Sequence, residues 1–290
     1  MPNRSYMFIP GDSEKKLGKS QDLGADALIL DLEDAVAESN KAAARGLTRD
    51  YLITHRDSSG PELWVRVNPL DTDHARADLE AIMQGAADGI FLPKPGQGED
   101  VQTLGRLLAE LETANGIDVG STAVVGIVES ARCLLNIGTF VGASERLHGM
   151  AWGAEDMAAD LGASTNVDGN GEYFFVHQMT RANTLLACAA GDLQPLDSVY
   201  LDFRDDDGLR AECIRARQEG FTAKMAIHPA QVRVINECFT PSPEEMEHAR
   251  RVIQAFEDAG GAGTVGLDGK MLDKPHLKQA ERVLRFARSD

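Results

Sequence analysis

The chain has 290 residues, 43% of them hydrophobic, and a formal net charge of -17. That length suits one barrel-sized domain with a short appendage better than two full domains. So acidic a balance excludes phosphate-backbone binding as the main activity, because nucleic-acid binders present clustered positive charge, and it mainly favours solubility. Cys133, Cys188, Cys213 and Cys238 are widely spaced, with no Cys-x-x-Cys pair and no Cys/His cluster of zinc type, so they read as reduced, mostly buried thiols. The opening Met-Pro-Asn-Arg-Ser-Tyr-Met-Phe-Ile-Pro lacks the apolar centre of a signal peptide, and no run approaches a membrane span. The expectation is a cytoplasmic protein with neither nucleic-acid nor membrane partners.

Along the chain, short β-rich runs alternate with helix-length segments, the pattern of βα units around a parallel sheet. Eight runs stand out, at residues 6–9, 27–32, 63–67, 89–92, 123–128, 147–151, 198–201 and 224–227. Eight is the number that closes a (β/α)₈ barrel. Helices are expected over 12–23, with Ser13 as cap, and over 40–49, 72–85, 97–115, 172–189 and 208–219. A further helix over 243–260, capped by Ser242, ends at a Gly-Gly stop; a Gly-rich link over 261–269 and a last helix reaching Arg288 follow. The barrel is thus expected over 1–240 and a C-terminal helical extension over 241–290. A barrel needs no such tail, so the extension should act as a lid, over its own mouth or a neighbour's.

Functional side chains of a parallel barrel sit just past the C-terminal ends of its strands. The fifth run delivers Glu129 there and the sixth delivers Asp156. Two hard anionic ligands at one mouth suit Mg²⁺, which keeps several waters and lets substrate oxygens complete its octahedron. Asp31, Glu33 and Asp34 end the second run, with Asp31 and Glu33 on one face by alternation. Any one of them could simply cap the next helix; Glu33 and Asp34 are the candidates for holding metal-bound water. Arg66 lies in an apolar run and needs an anionic partner, either a substrate or one of these acids. Lys94, one strand on, carries a weaker version of the same argument because lysine snorkels easily. At the last strand, Lys224 and His228 fall on one face at the mouth, where His228, before a proline, is as readily a turn-fixing residue as a catalyst.

The ordered set Phe-Ile-Pro-Gly-Asp, Leu-Asp-Leu-Glu-Asp-Ala-Val, Val-Arg-Val-Asn, Leu-Pro-Lys, Val-Glu-Ser-Ala, Trp-Gly-Ala-Glu-Asp, Ile-His-Pro-x-Gln and Gly-Lys-Met-Leu-Asp-Lys-Pro resembles the citrate lyase β-subunit-like branch of the HpcH/HpaI aldolase superfamily. That branch includes malyl-CoA, β-methylmalyl-CoA and citramalyl-CoA lyases, and the resemblance spans nearly the whole chain. It implies a (β/α)₈ barrel, a homotrimer or homohexamer with shared active sites, and cleavage or formation of a C–C bond between an acyl-CoA and an α-keto acid with Mg²⁺, or Mn²⁺ in its place. By resemblance Glu129 and Asp156 are the metal ligands, Arg66 is the cation at the reacting oxygens, and Asp273 of the tail delivers the proton in a neighbouring mouth. Phe8 and Pro10 of the first motif fall to the substrate and CoA side of the site, with Lys16, Lys19 and Lys94. Where relatives often carry arginine after Pro-Gly-Asp, this chain has Ser13 followed by Lys15, Lys16 and Lys19, either flexible CoA-phosphate contacts or a solvated helix face. The expected chemistry is reversible Claisen-type cleavage of a 3-hydroxyacyl-CoA. Thioester hydrolysis, aldol chemistry on free aldehydes without CoA, and a silent subunit binding an acyl carrier are the other readings.

Overall fold

The computed structural model describes residues 2–56 and 58–286. Strands β1 (Ser5–Pro10), β2 (Ala27–Asp31), β3 (Glu62–Arg66), β4 (Gly89–Leu92), β5 (Ala123–Val128), β6 (Leu147–Trp152), β7 (Gln194–Asp197) and β8 (Ala223–Ala226) pair in parallel in chain order. β1 pairs with both β2 and β8, which closes the barrel. Between and after them run α1 (Glu14–Leu17), α2 (Lys41–His55), α3 (His74–Ile82), α4 (Gly98–Asn115), α5 (Ala131–Leu135), α6 (Ala154–Leu161), α7 (Phe175–Gly191), α8 (Asp206–Glu219) and α9 (Pro229–Phe239). Ser13 precedes α1 without a side-chain cap bond, whereas Ser130 accepts from Cys133 N and Asp205 from Gly208 N. No described helix is long and apolar enough to cross a membrane.

Alternation along the strands sorts side chains into two cores. Tyr6, Ala27, Ile29, Trp64, Phe91, Val125, Ile127, Ala151, Leu196 and Met225 fill the barrel, while residues of the other parity, such as Leu28, Leu30, Val65, Ile90 and Val124, pack under the helices. Inside, Tyr6, Trp64 and Phe91 meet edge to face, with ring centroids 5.6 to 5.9 Å apart. Counting two residues further along the inward face from Ile29, Trp64 and Ile127 reaches Asp31, Arg66 and Glu129. The parity that builds the core therefore also delivers the polar groups to its upper end.

The seventh strand lies upstream of the expected 198–201 segment. Pro195 lacks a donor and Asp197 is charged, so Gln-Pro-Leu-Asp does not read as a buried strand. It serves as one because only Leu196 and Asp197 pair with β8, and Asp197 is met by Lys224 at 2.9 Å, Arg181 at 3.2 Å and Trp152 Nε1 at 2.8 Å. This corrects Lys224 as well. Ala223 and Met225 face the barrel interior, so Lys224 faces the helix layer, fully buried on Asp197 and Glu212 and away from the mouth. His228 caps α9, its Nδ1 accepting from Ala230 N, and its ring stacks on Phe203.

Past the barrel come α10 (Pro243–Asp258), β9 (Thr264–Leu267), β10 (Lys270–Asp273) and α11 (Lys274–Arg285). Ser242 and Glu245 form a capping box at the head of α10. The expected Gly-rich link folds instead into an antiparallel hairpin. Its turn is Asp268-Gly269, both at positive φ (50° and 73°), the pair a two-residue type I′ turn demands. Leu272 is buried with Ala249, Val252, Phe256 and Ala280 in a small core of the extension itself; Met271 remains 75% exposed. Arg282 donates to the carbonyl of Gly220, and Phe221 and Thr222 share a cavity of about 560 Å³ with Arg282 and Val283. Those residues lead into β8, so within one chain the extension is anchored at the N-terminal end of the barrel, opposite its mouth. Arg288 lies outside the described residues.

Candidate active site

Arg66 ends β3 beneath two carboxylates of the preceding strand and loop. Its Nε and Nη2 donate to the two oxygens of Asp31 at 2.8 and 2.6 Å, and Nη1 lies 2.9 Å from Glu33 Oε2. The guanidinium sits 4.8 Å from the centroid of the Phe8 ring. Burial opposes its charge, yet Asp31 and Glu33 outweigh burial and hold its pKa above the ordinary value. Asp31 also accepts from Glu33 N at 2.9 Å and Ala35 N at 3.3 Å, which fixes the turn carrying Glu33 and Asp34. Lys41 braces the same turn by donating to the carbonyls of Leu32 and Glu33 and to Asn68 Oδ1.

Glu129 follows β5 and is 3% exposed. Its Oε1 accepts from Lys94 N at 2.9 Å, and its carboxyl lies against Gly153, where an added Cβ would come within 2.7 Å of Oε2. Only glycine leaves that space. Burial first, and then the neighbouring charges of Asp156 and Glu33, push the Glu129 carboxyl up to about 8. Asp156 stands in the first turn of α6, where the helix dipole favours a carboxylate. Glu33 is likewise raised by burial, against the pull of Arg66 and Lys94.

Lys94 joins these groups. Its Nζ lies 2.7 Å from Glu33 Oε1, 3.1 Å from Asp156 Oδ1 and 3.4 Å from Asp34 Oδ2. Its backbone has φ +49°, uncommon for a side-chain-bearing residue, and this turn points N–H at Glu129 while the side chain reaches across to Asp156. Among the described residues no group of three His, Cys, Asp or Glu side chains is arranged to hold a metal ion; the ammonium of Lys94 stands among the carboxylates.

Of the residues singled out in the sequence, Glu33, Asp34, Arg66, Lys94, Glu129 and Asp156 are thus brought together, with Phe8 beneath the guanidinium and Pro10 at the end of β1 beside Asp31. Lys16 and Lys19, on and after α1, are exposed and make no ion pair among the described residues. Asp273 is on the hairpin of the extension, paired with His276 and apart from this cluster within the chain. Two supports carried too weak a signal: Lys41 looked like any helix-starting lysine, and Gly153 like one of many glycines.

A family model described as HpcH/HpaI aldolase/citrate lyase matches residues 4–229, and one described as a C–C bond lyase of the TIM-barrel fold matches residues 172–289. The chain is 39% identical over 288 residues to a (3S)-malyl-CoA thioesterase of Cereibacter sphaeroides, covering 99% of this chain and 95% of that one. It is 36% identical over 286 residues to the citrate lyase subunit beta of Escherichia coli, covering 98% and 93%. Among solved structures, CitE of Mycobacterium tuberculosis in complex with magnesium, acetoacetate and coenzyme A superposes with a TM-score of 0.78 at 34% identity, covering 98% of each chain. A citrate lyase beta subunit of the same organism, complexed with oxaloacetate and magnesium, gives a TM-score of 0.70 at 34% identity, covering 82% of this chain and 97% of that one.

Proposed function

Because the chain belongs to the HpcH/HpaI aldolase/citrate lyase family, we propose that it is a Mg²⁺-dependent carbon–carbon lyase. Its substrate would be a 3-hydroxyacyl-CoA of the malyl-CoA, β-methylmalyl-CoA or citramalyl-CoA type, split reversibly into an acyl-CoA and an α-keto acid. The observation that carries this reading is the pairing of Glu129 and Asp156 from adjacent strand ends beside the Arg66 guanidinium. Glu129 and Asp156 would hold the metal. Their fit is electrostatic: Glu129 is buried beside the further carboxylates of Asp156 and Glu33, an acidic site suited to a cation, and few protein ligands suit an ion that keeps its waters. When bound, Mg²⁺ or Mn²⁺ supplies Lewis acidity toward the keto-acid oxygens.

The chain's own groups do the rest. Arg66, held rigid by Asp31 and Glu33, faces the oxygen that becomes the keto carbonyl and stabilises charge there as the C–C bond breaks. The hydroxyl proton passes to water at the mouth, its oxygen becomes the carbonyl, and the bonding pair moves to the carbon next to the thioester, which then takes a proton. Asp273 of a second copy is the proton donor in this reading, within a homotrimer or homohexamer. Lys16 and Lys19 on the β1 side of the mouth would meet the CoA phosphates as point charges, and Phe8 and Pro10 would border the thioester. The complex of the M. tuberculosis relative with magnesium, acetoacetate and coenzyme A supports this choice of ligands.

Thioester hydrolysis is the second reading, favoured by the likeness to the (3S)-malyl-CoA thioesterase. Purified protein with Mg²⁺, supplied separately with malyl-CoA, β-methylmalyl-CoA, citramalyl-CoA and citryl-CoA, separates the two when free thiol and keto acid are followed independently. Keto acid without free thiol is the expected result. Thiol without keto acid would move the protein to the hydrolases, and no EDTA-sensitive turnover of any of the four would sink both.

A further inference from the structure

We propose that Lys94 is a built-in counter-cation that holds the carboxylate cluster together without metal and competes with the divalent ion for Asp156. The inference rests on the metal reading above and concerns how that site is filled. Three observations carry it. The Nζ of Lys94 touches carboxylates from two separate loops, Glu33 and Asp34 after β2 and Asp156 at the start of α6. The same residue gives its backbone N–H to Glu129, so one lysine reaches both carboxylates assigned to the metal. Its φ of +49° is a conformation that glycine adopts freely and L side chains rarely do, and Pro95 follows it, so a lysine is a poor choice for the backbone alone.

Charge counting explains what the side chain does there. Among the described residues, Glu33, Asp34, Glu129 and Asp156 converge with no ion-paired cation besides Arg66 and Lys94, and the Arg66 fork is committed to Asp31 and Glu33. Without the ammonium, Asp156 has no cation among the described residues. A dication on Glu129 and Asp156 brings two positive charges beside Nζ, and like charges at such range repel. Lys94 has seats to retreat to, since Glu33 and Asp34 already accept it. Metal binding would then be an exchange in which Lys94 gives up Asp156 and its ammonium moves onto the β2 loop. The mouth stays assembled in both states, at the expense of metal affinity.

The test is Mg²⁺ titration calorimetry on the full-length protein and on Lys94→Met and Lys94→Gly, the latter free of backbone strain. Both variants should bind Mg²⁺ more tightly, on the order of tenfold, the size of a typical coupling between two ligands of one protein. Thermal unfolding supplies a readout independent of turnover: in EDTA both variants should melt below the wild type, and saturating Mg²⁺ should close the gap. Unchanged or weaker Mg²⁺ binding in both variants, or variants that stay unfolded at saturating Mg²⁺, would overturn the role of Lys94 and leave the metal site standing. A wild type that binds no Mg²⁺ would remove the metal reading, and this inference with it.

Discussion

Arg66 uses its shape as much as its charge. Two parallel hydrogen bonds to Asp31 and a contact with Glu33 fix the guanidinium plane over Phe8, an arrangement a lysine ammonium cannot reproduce. Arg66→Lys should therefore lose kcat nearly as badly as Arg66→Ala, on the order of 10²-fold or more, as when a preorganised donor to a developing oxyanion is removed. Steady-state kinetics with circular dichroism on both variants checks this; a lysine variant that keeps most of its turnover would make Arg66 an ion-pair partner and no more. At this scale the sequence was informative because strand parity is rigid: an arginine inside an apolar run must find an anion, and a carboxylate two residues past a buried position must surface at the mouth. What parity could not supply was the partner. Lys94 leaves its strand through a positive-φ turn, which breaks the alternation and sends the side chain to Asp156 in place of a substrate.

Among the elements, α4 shows how the helix layer is pinned to the barrel. Glu112 near its end is fully buried, accepts from Arg146 Nη1 and Nη2 at 2.7 and 2.6 Å, and also accepts from the N–H groups of Gly120 and Thr122 ahead of β5. Burial pushes this carboxyl up, but the arginine and the two amides prevail and hold it down at about 2. Its folded pKa lies below the unfolded value, so its stabilisation is complete above about 4.3, the ordinary glutamate range, and drains away as pH falls toward 2. Glu112→Gln should cost about 3 kcal/mol at pH 7, the scale for breaking a buried pair, and the gap to wild type should narrow below about pH 4. Urea unfolding of both proteins across that range decides it, and a gap that does not change with pH would mean the pair contributes through shape alone. Elements with strong apolar runs were legible from the sequence, β5 above all. β7 was not, because its strand character comes from Lys224 and Arg181 neutralising Asp197 while Trp152 donates to it, a fact of tertiary contact. The hairpin β9–β10 was legible in principle: Leu-Asp-Gly-Lys between apolar residues is a turn signal, masked here by the surrounding glycines.

At the scale of the whole molecule, the extension poses the last question. Its own core covers Leu272, its anchor is at the N-terminal end of the barrel, and its hairpin carries Asp273 half-exposed and Met271 75% exposed. On the mouth side, Phe175 after β6 and Leu201 after β7 are 71% and 57% exposed, large apolar groups that a second copy could cover. If the hairpin of one chain reaches the mouth of the next, the contact is head-to-tail and closes into a ring, and each site combines residues of two chains. An Asp273→Ala chain then lacks its contribution to a neighbour, while a Glu129→Gln chain lacks its own metal ligand, and homogeneous preparations of either should be inactive. Mixed, gently dissociated and reassembled, they should regain part of the wild-type turnover, because some mouths then pair an intact Glu129 with an intact Asp273 from next door. Native mass spectrometry establishes that hybrid rings have formed. Hybrids that form and remain wholly inactive would place Asp273 in its own chain's site or outside the chemistry, and the His276 pair that now holds its carboxylate would then be a helix cap and nothing more.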